Sequence, residues 1–185
     1  MVAPSVGHSR ISIIILNWNG RRWLGDCLTS ILDQDVNEPF EVLLVDNGST
    51  DDSVQYVKER FSRVRVIELA KNYGFAEGNN RGLKYALGEY LIFVNTDTKA
   101  ENGWLKKLLK AAHQYPGYQI LCSIQIPAQA ENRVMSLSSF GDVMVTRQES
   151  HRPTTSSLFA SGACFLIRRE WVEKLGYLFD PYYFC

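Results

Sequence analysis

The chain has 185 residues, 45% hydrophobic and 12% aromatic, with 20 Lys+Arg against 20 Asp+Glu for a formal net charge of zero. That length suits one domain with a real core, because a globule of this size buries about 70% of the surface its unfolded chain exposes. The charge balance argues against a dedicated nucleic-acid binder, a polybasic membrane-surface protein and a charged disordered segment.

Residues 1–10 lack the basic and apolar regions of a signal peptide and read as a disordered tail. Residues 11–16, Ile-Ser-Ile-Ile-Ile-Leu, are a continuous β-branched run, as expected of a parallel strand buried on both faces. Residues 21–32 place Trp23, Leu24, Cys27, Leu28, Ile31 and Leu32 on one helix face, so Trp23 is expected in the core, as is Trp104 further on. A second strand follows at 40–45. Next comes a helix at 52–61 for which Ser49 can serve as the cap, with Asp52 three residues on. Residues 64–69 read as a weaker strand, 75–87 as a helix, 90–94 as a strand and 103–115 as a helix ended by Pro116-Gly117. Residues 118–126 predict a fifth strand, 129–157 a loop or hairpin excursion, 158–167 a strand interrupted by Ser161-Gly162, and 169–175 a short helix. Strands alternating with helices imply an α/β fold, a mostly parallel open sheet with helices on both faces.

Each of the three strongest strands ends in short polar residues: Asn17-Trp18-Asn19-Gly20, Asp46-Asn47-Gly48-Ser49-Thr50-Asp51 and Asn95-Thr96-Asp97-Thr98. Turns and helix caps favour such residues anyway. Three clusters on parallel strands, however, converge on one sheet edge, where open α/β sheets bind ligands. Asp46 and Asp97, directly at strand ends, are the functional candidates; Ser49, Thr50, Asp51 and Asp52 read as turn and cap residues. Asp97 suits Mg²⁺ or Mn²⁺ bridging a diphosphate, and Asp46 suits a nucleobase N–H or a ribose hydroxyl. Trp18 can stack on a base or pack beside the sheet. The dinucleotide, P-loop and serine-hydrolase fingerprints are absent. Four scattered cysteines form no zinc-type pair and read as reduced thiols, and His8, His113 and His151 read as solvated or structural.

Together with Asn72-Tyr73-Gly74-Phe75-Ala76-Glu77-Gly78-Asn79-Asn80-Arg81-Gly82, Ser161-Gly162-Ala163 and Phe179-Asp180, these motifs resemble glycosyltransferase family 2, of the Rossmann-like GT-A fold. The nearest likeness is to its rhamnosyltransferase-like branch. The resemblance implies a single GT-A domain over residues 11–185 and inverting transfer of a sugar from a UDP- or dTDP-linked donor to an acceptor hydroxyl. It places Asn17, Trp18, Asn19 and Asp46 at the nucleobase and ribose, and Asn47, Asn72, Gly74 and Asn79 among the donor-binding residues. Asn95-Thr96-Asp97 stands at the family's DxD motif, with Asn at its first position and Asp97 as the metal ligand. Ser161 and Gly162 fall on the acceptor side. The family's general base follows the segment that begins Phe179-Asp180, so it is expected beyond Cys185 and the domain is expected to be cut at its acceptor side; Asp180 reads as a turn residue. The implied setting is cell-surface polysaccharide synthesis in the cytoplasm, on a glycan or lipid-linked acceptor, with any attachment to the inner membrane face through segments outside these residues. A nucleotidyltransferase acting on sugar phosphates and a non-catalytic nucleotide-sugar-binding fragment are the alternatives.

Overall fold

The computed structural model describes residues 11–117, 119–126, 135–138 and 163–179. The expected tail, Ser161, Gly162, Asp180, Cys185, His8 and His151 lie outside the described residues.

The strands are β1 (Ile11–Asn17), β2 (Phe40–Asp46), β3 (Val64–Glu68), β4 (Tyr90–Asn95), β5 (Thr98–Ala100), β6 (Ile120–Cys122), β7 (Ile124–Ile126), β8 (Met135–Ser138) and β9 (Cys164–Arg168). The helices are α1 (Arg21–Leu32), α2 (Ser53–Arg60), α3 (Gly74–Leu83), α4 (Trp104–Gln114) and α5 (Arg169–Leu175). A six-stranded sheet runs in the order β3-β2-β1-β4-β9-β6. Its first four strands are mutually parallel, and β9 is antiparallel to both β4 and β6.

Alternation along β1 explains why its apolar run is continuous. Ile11, Ile13 and Ile15 face a core shared with Leu24, Leu28 and Ile31 of α1, Val57 of α2, and Trp104, Leu105 and Leu108 of α4. Ile14 faces the other way, into a core with Leu43, Leu91, Phe93, Phe165 and Ile167, closed by α5 through Val172 and by Leu83 at the end of α3. Trp104 is fully buried as expected, and its indole N–H donates to Ser123 Oγ at 2.9 Å.

Three expectations need correction, and the hairpin alternative at 129–157 gains a strand that pairs antiparallel with the one before it. The strand expected at 118–126 is split at Ser123: β6 joins the main sheet, while β7 pairs with β8 in a small sheet ordered β5-β8-β7. Ser123 is buried and turned away by its bonds to Trp104 and to the Cys164 carbonyl. The polar stretch at 129–157 supplies a strand, β8, parallel to β5; its other residues lie outside those described, as do 158–162 of the strand expected before β9. The third helix ends at Leu83 rather than at Leu87. The turn after it is held by Arg169, whose guanidinium donates to the Gly88 and Ala86 carbonyls at 2.8 Å each. Ser49 does not cap α2. Asp52 occupies the cap position without a side-chain cap bond, and Asp51 instead accepts from the Ser53 amide at 3.1 Å and from the Ser53 hydroxyl.

Candidate functional site

The parallel strands bring Asn17, Asp46 and Asn95 to one edge: Asn17 is paired in register with Asp46, and Leu16 with Asn95. Strand order reverses between β1 and β4, which opens a crevice outside their carboxyl ends. A cleft of about 290 Å³ lies there, walled by Leu16, Trp18, Asn19, Gly20, Arg22 and Trp23 around the β1–α1 turn, by Asn95, Thr96 and Asp97 at the end of β4, and by Phe75 of α3. A second cavity, of about 340 Å³, lies between Asp35, Glu38 and the Lys106–Lys110–His113 side of α4. It adjoins the residues leading into the start of β2, so it sits at the opposite sheet edge and gathers none of the expected chemistry.

Beneath the cleft lies a buried polar layer. Asn17 is fully buried and Asp46 is 3% exposed. Asn17 Nδ2 donates to Asp46 Oδ1 at 2.9 Å and to Ser49 Oγ at 3.0 Å, while the Ser49 amide donates to Asp46 Oδ2 at 2.9 Å. Buried Asn47 donates through Nδ2 to Asn72 Oδ1 and to the Gly74 carbonyl, and accepts from the Tyr73 amide at 2.9 Å. Asn72 Oδ1 also accepts from the Gly74 amide at 2.8 Å. This knot fixes the 72–74 turn against the end of β2. Gly48 lets the two approach: its φ is +73°, and a Cβ there would lie 2.6 Å from the Lys71 carbonyl carbon. Asn79, expected beside the donor, is buried and bonds back to the Phe75 carbonyl one turn earlier at 2.9 Å.

The rim is different. Trp18 is 58% exposed at the mouth of the cleft. Asn19 takes a left-handed φ of 52°, and its Oδ1 accepts from the Thr50 amide at 2.8 Å, tying the first turn to the second. Asn95, Thr96 and Asp97 are half-buried and line the cleft. The Asn95 carbonyl accepts from Thr98 Oγ1 at 2.6 Å and from the Cys27 thiol at 3.7 Å, which shapes the turn that presents Asp97. Burial pushes Cys27 up to about 12, partly offset by the Thr98 contact, so it is an inert packing thiol. The free thiols of Cys122 and Cys164 are buried too.

Three cleft residues escaped the sequence reading. Trp23, expected in the core, is half-buried and lines the cleft, with the Arg22 guanidinium 4.4 Å above its ring. The signal for Arg22 was a cation in the first turn of a helix that carries no acidic residue in that turn. Gly20 completes the wall: a side chain there would collide with Asn17 Oδ1, a buried acceptor with no hydrogen-bond partner among the described residues. Outside the cleft, Asn80 was also missed. Its side chain donates to the Phe179 carbonyl at 2.7 Å and accepts from the Phe179 amide at 3.1 Å, as a neighbouring strand would. The Phe179 ring meets Phe75, Phe93 and Phe165 edge-on.

Among the described residues, no cluster of three His, Cys, Asp or Glu side chains is gathered, and no helix is long and apolar enough to cross a membrane. The donor set at the cleft, one carboxylate beside neutral Asn95 and Thr96 oxygens, fits Mg²⁺ or Mn²⁺ that takes most of its shell from phosphate and water.

The sequence model of glycosyl transferase family 2 matches residues 12–176. The chain is 29% identical over 183 residues to the uncharacterized glycosyltransferase EpsJ of Bacillus subtilis, covering 92% of this chain and 51% of that protein. It therefore spans about half the length of that relative. The S. aureus TarS 1-349 complex with UDP-GlcNAc superposes with a TM-score of 0.70 at 22% identity, over 90% of this chain and 47% of that one. A Pyrobaculum calidifontis mannosyltransferase in complex with GDP-Man and Mn²⁺ gives a TM-score of 0.68 at 20% identity, over 95% and 49%. At these identities the two structures establish the shared fold.

Proposed function

The chain belongs to glycosyl transferase family 2, and from that premise we propose that it carries the donor site of an inverting glycosyltransferase. The enzyme moves a hexosyl or deoxyhexosyl group from a nucleoside-diphosphate sugar to the hydroxyl of a glycan or lipid-linked acceptor. One observation carries this reading: the polar cleft outside β1 and β4, with Trp18 exposed at its mouth and Asp97 on its wall. A UDP- or dTDP-linked donor is the finer reading, in keeping with the motif likeness to the rhamnosyltransferase-like branch. Residues 11–185 are read as one GT-A domain.

Trp18 stacks on the nucleobase, an interaction that tolerates any base because each has a π-face. Asp46 accepts one bond per oxygen from the protein and keeps a lone pair on each for a nucleobase or ribose donor. Asn17, Asn47 and Asn72 act from below, as positioning residues whose amide N–H or oxygen bonds hold the two turns. Asp97 holds the divalent cation, which when bound neutralises charge developing on the leaving diphosphate. Asp97, the one carboxylate lining the cleft among the described residues, is assigned to the cation, and we read the base that deprotonates the acceptor, as the family resemblance implies, as a residue outside those described.

Isothermal titration of UDP and dTDP, with Mg²⁺ or Mn²⁺ present, tests the reading. At least one nucleotide should bind, and Asp97→Ala should remove the metal-dependent part of the affinity. If neither nucleotide binds the folded chain, the assignment of the cleft fails.

A further inference from the structure

Among the described residues lining the cleft there is one carboxylate, Asp97, and one guanidinium, Arg22. The two arginines that open α1 are treated very differently. Arg21 is compensated: its Nε lies 3.4 Å from Asp52, its guanidinium sits 3.3 Å over the Tyr56 ring, and its amide donates to Asp51. Arg22 is exposed, and among the described residues no carboxylate forms an ion pair with it. It also stands in the first turn of a helix that carries no acidic residue there and no side-chain cap. A cation at that end opposes the helix dipole. Residues that break a local rule without local compensation tend to mark function. An anion in the cleft would supply the compensation that the protein omits.

The Arg22 guanidinium is also preorganised. Its guanidinium carbon lies 4.4 Å from the Trp23 ring centroid, a cation–π contact that restricts where the fork can sit at the cleft wall. A planar fork of this kind is suited to bidentate contact with phosphate oxygens. On the opposite wall, Asn95 stands where a second carboxylate would make the cleft more negative and more dependent on a metal to accept a diphosphate. With Asn95 neutral, Asp97 and Arg22 balance to zero.

We infer that Arg22 binds the diphosphate of the donor directly, so that nucleotide binding at this cleft has a component independent of divalent metal. The inference rests on the cleft being a nucleoside-diphosphate site. Arg22 is a specificity residue for the diphosphate group, and Asp97 with its cation supplies the other share of the charge.

The test is calorimetric titration of the 185-residue chain with UDP, dTDP and inorganic pyrophosphate, each in EDTA and in Mg²⁺. The wild type should bind a nucleotide or pyrophosphate in EDTA. Arg22→Ala should lose about tenfold or more in that medium, the loss expected of a charge-assisted bond. Its relative gain on adding Mg²⁺ should exceed that of the wild type, and Arg22→Lys should restore part of the EDTA affinity as a point charge. Should Arg22→Ala fail to fold by circular dichroism, Arg22→Gln, which keeps the stem over Trp23, takes its place. Binding that requires Mg²⁺ in the wild type, or an EDTA affinity within twofold of wild type in the folded variant, overturns the inference. Absence of binding in both media overturns the donor-site reading itself.

Discussion

The buried layer under β1 and β2 and the open rim above it are built from the same kinds of residue and do opposite things. Asn17, Asn47 and Asn72 have their side chains bound to the protein, the first two buried and the third half-buried. Trp18, Arg22, Thr96 and Asp97 line the cleft, with Trp18 and Arg22 exposed to solvent. Polarity at a strand end is therefore not one signal. In the lower layer it fixes two turns against each other so that neither can drift. In the upper layer it is held in reserve for a ligand. The lower layer should answer to stability measurements and the upper layer to binding measurements.

That separation can be broken or sharpened by experiment. The largest effect is expected below the cleft. Gly48→Ala forces a side chain into a left-handed position and against the Lys71 backbone. It should cost about 3 kcal/mol in stability and lower Tm by roughly 10 °C for a chain of this size, as scanning calorimetry would record. A variant that kept its Tm but lost nucleotide would mean that the turn serves the ligand, not the fold. Next in size is the rim: Trp18→Ala should weaken UDP or dTDP binding about tenfold, the value of one stacked base. Its stability should stay within about 0.5 kcal/mol of wild type, as for other exposed positions. A large fall in Tm would move Trp18 into the lower layer.

The smallest effect belongs to Asp51, at the seam between the starts of α1 and α2. Burial pushes its carboxyl up, but the Ser53 hydroxyl and the Arg21 and Ser53 amides outweigh this and hold it below its ordinary 3.8. A carboxyl lowered by folding adds stability above its unfolded value, and that contribution is lost as pH falls through the folded one. Asp51→Asn should therefore flatten the acid limb of the stability curve slightly and leave neutral nucleotide binding unchanged. Solvent screening keeps the difference under about 0.5 kcal/mol. A shift in affinity at pH 7 would show that the seam transmits strain into the cleft.

Much of this was legible in the sequence, for identifiable reasons. A strand covered on both faces needs apolar residues without alternation, and the run ending at Leu16 has no other comfortable home. The convergence of Asn17, Asp46 and Asn95 followed from parallel pairing alone. Ser123 was not legible, because nothing local says that a strand must change sheets; its bond to Trp104 arises only in three dimensions. Asn79 and Asn80 were separable in principle. The buried stripe of α3 runs through Gly74, Ala76, Gly78, Asn79 and Gly82, which turns Asn79 inward and leaves Asn80 at the stripe's margin, facing Phe179. The misreading of Trp23 has a similar source: periodicity gives the face of a helix but not how far the next loop covers it.

The placement of β9 has a consequence for how the molecule assembles. Among the described residues, every one that lines the cleft belongs to the first 97 positions, and β1 to β4 pair among themselves without help from later segments. Among the described residues, β6 has β9 as its single neighbour, so it cannot join the sheet when it is made and must wait for a strand encoded much later. Until β9 docks, β4 presents a bare row of amides and carbonyls beside the newly formed cleft. That edge is a template for another chain's strand, and non-local closure of this kind is slow. The antiparallel strand thus acts as a late-arriving guard on the sheet's open side, and the interval before it docks is when self-association has its opening.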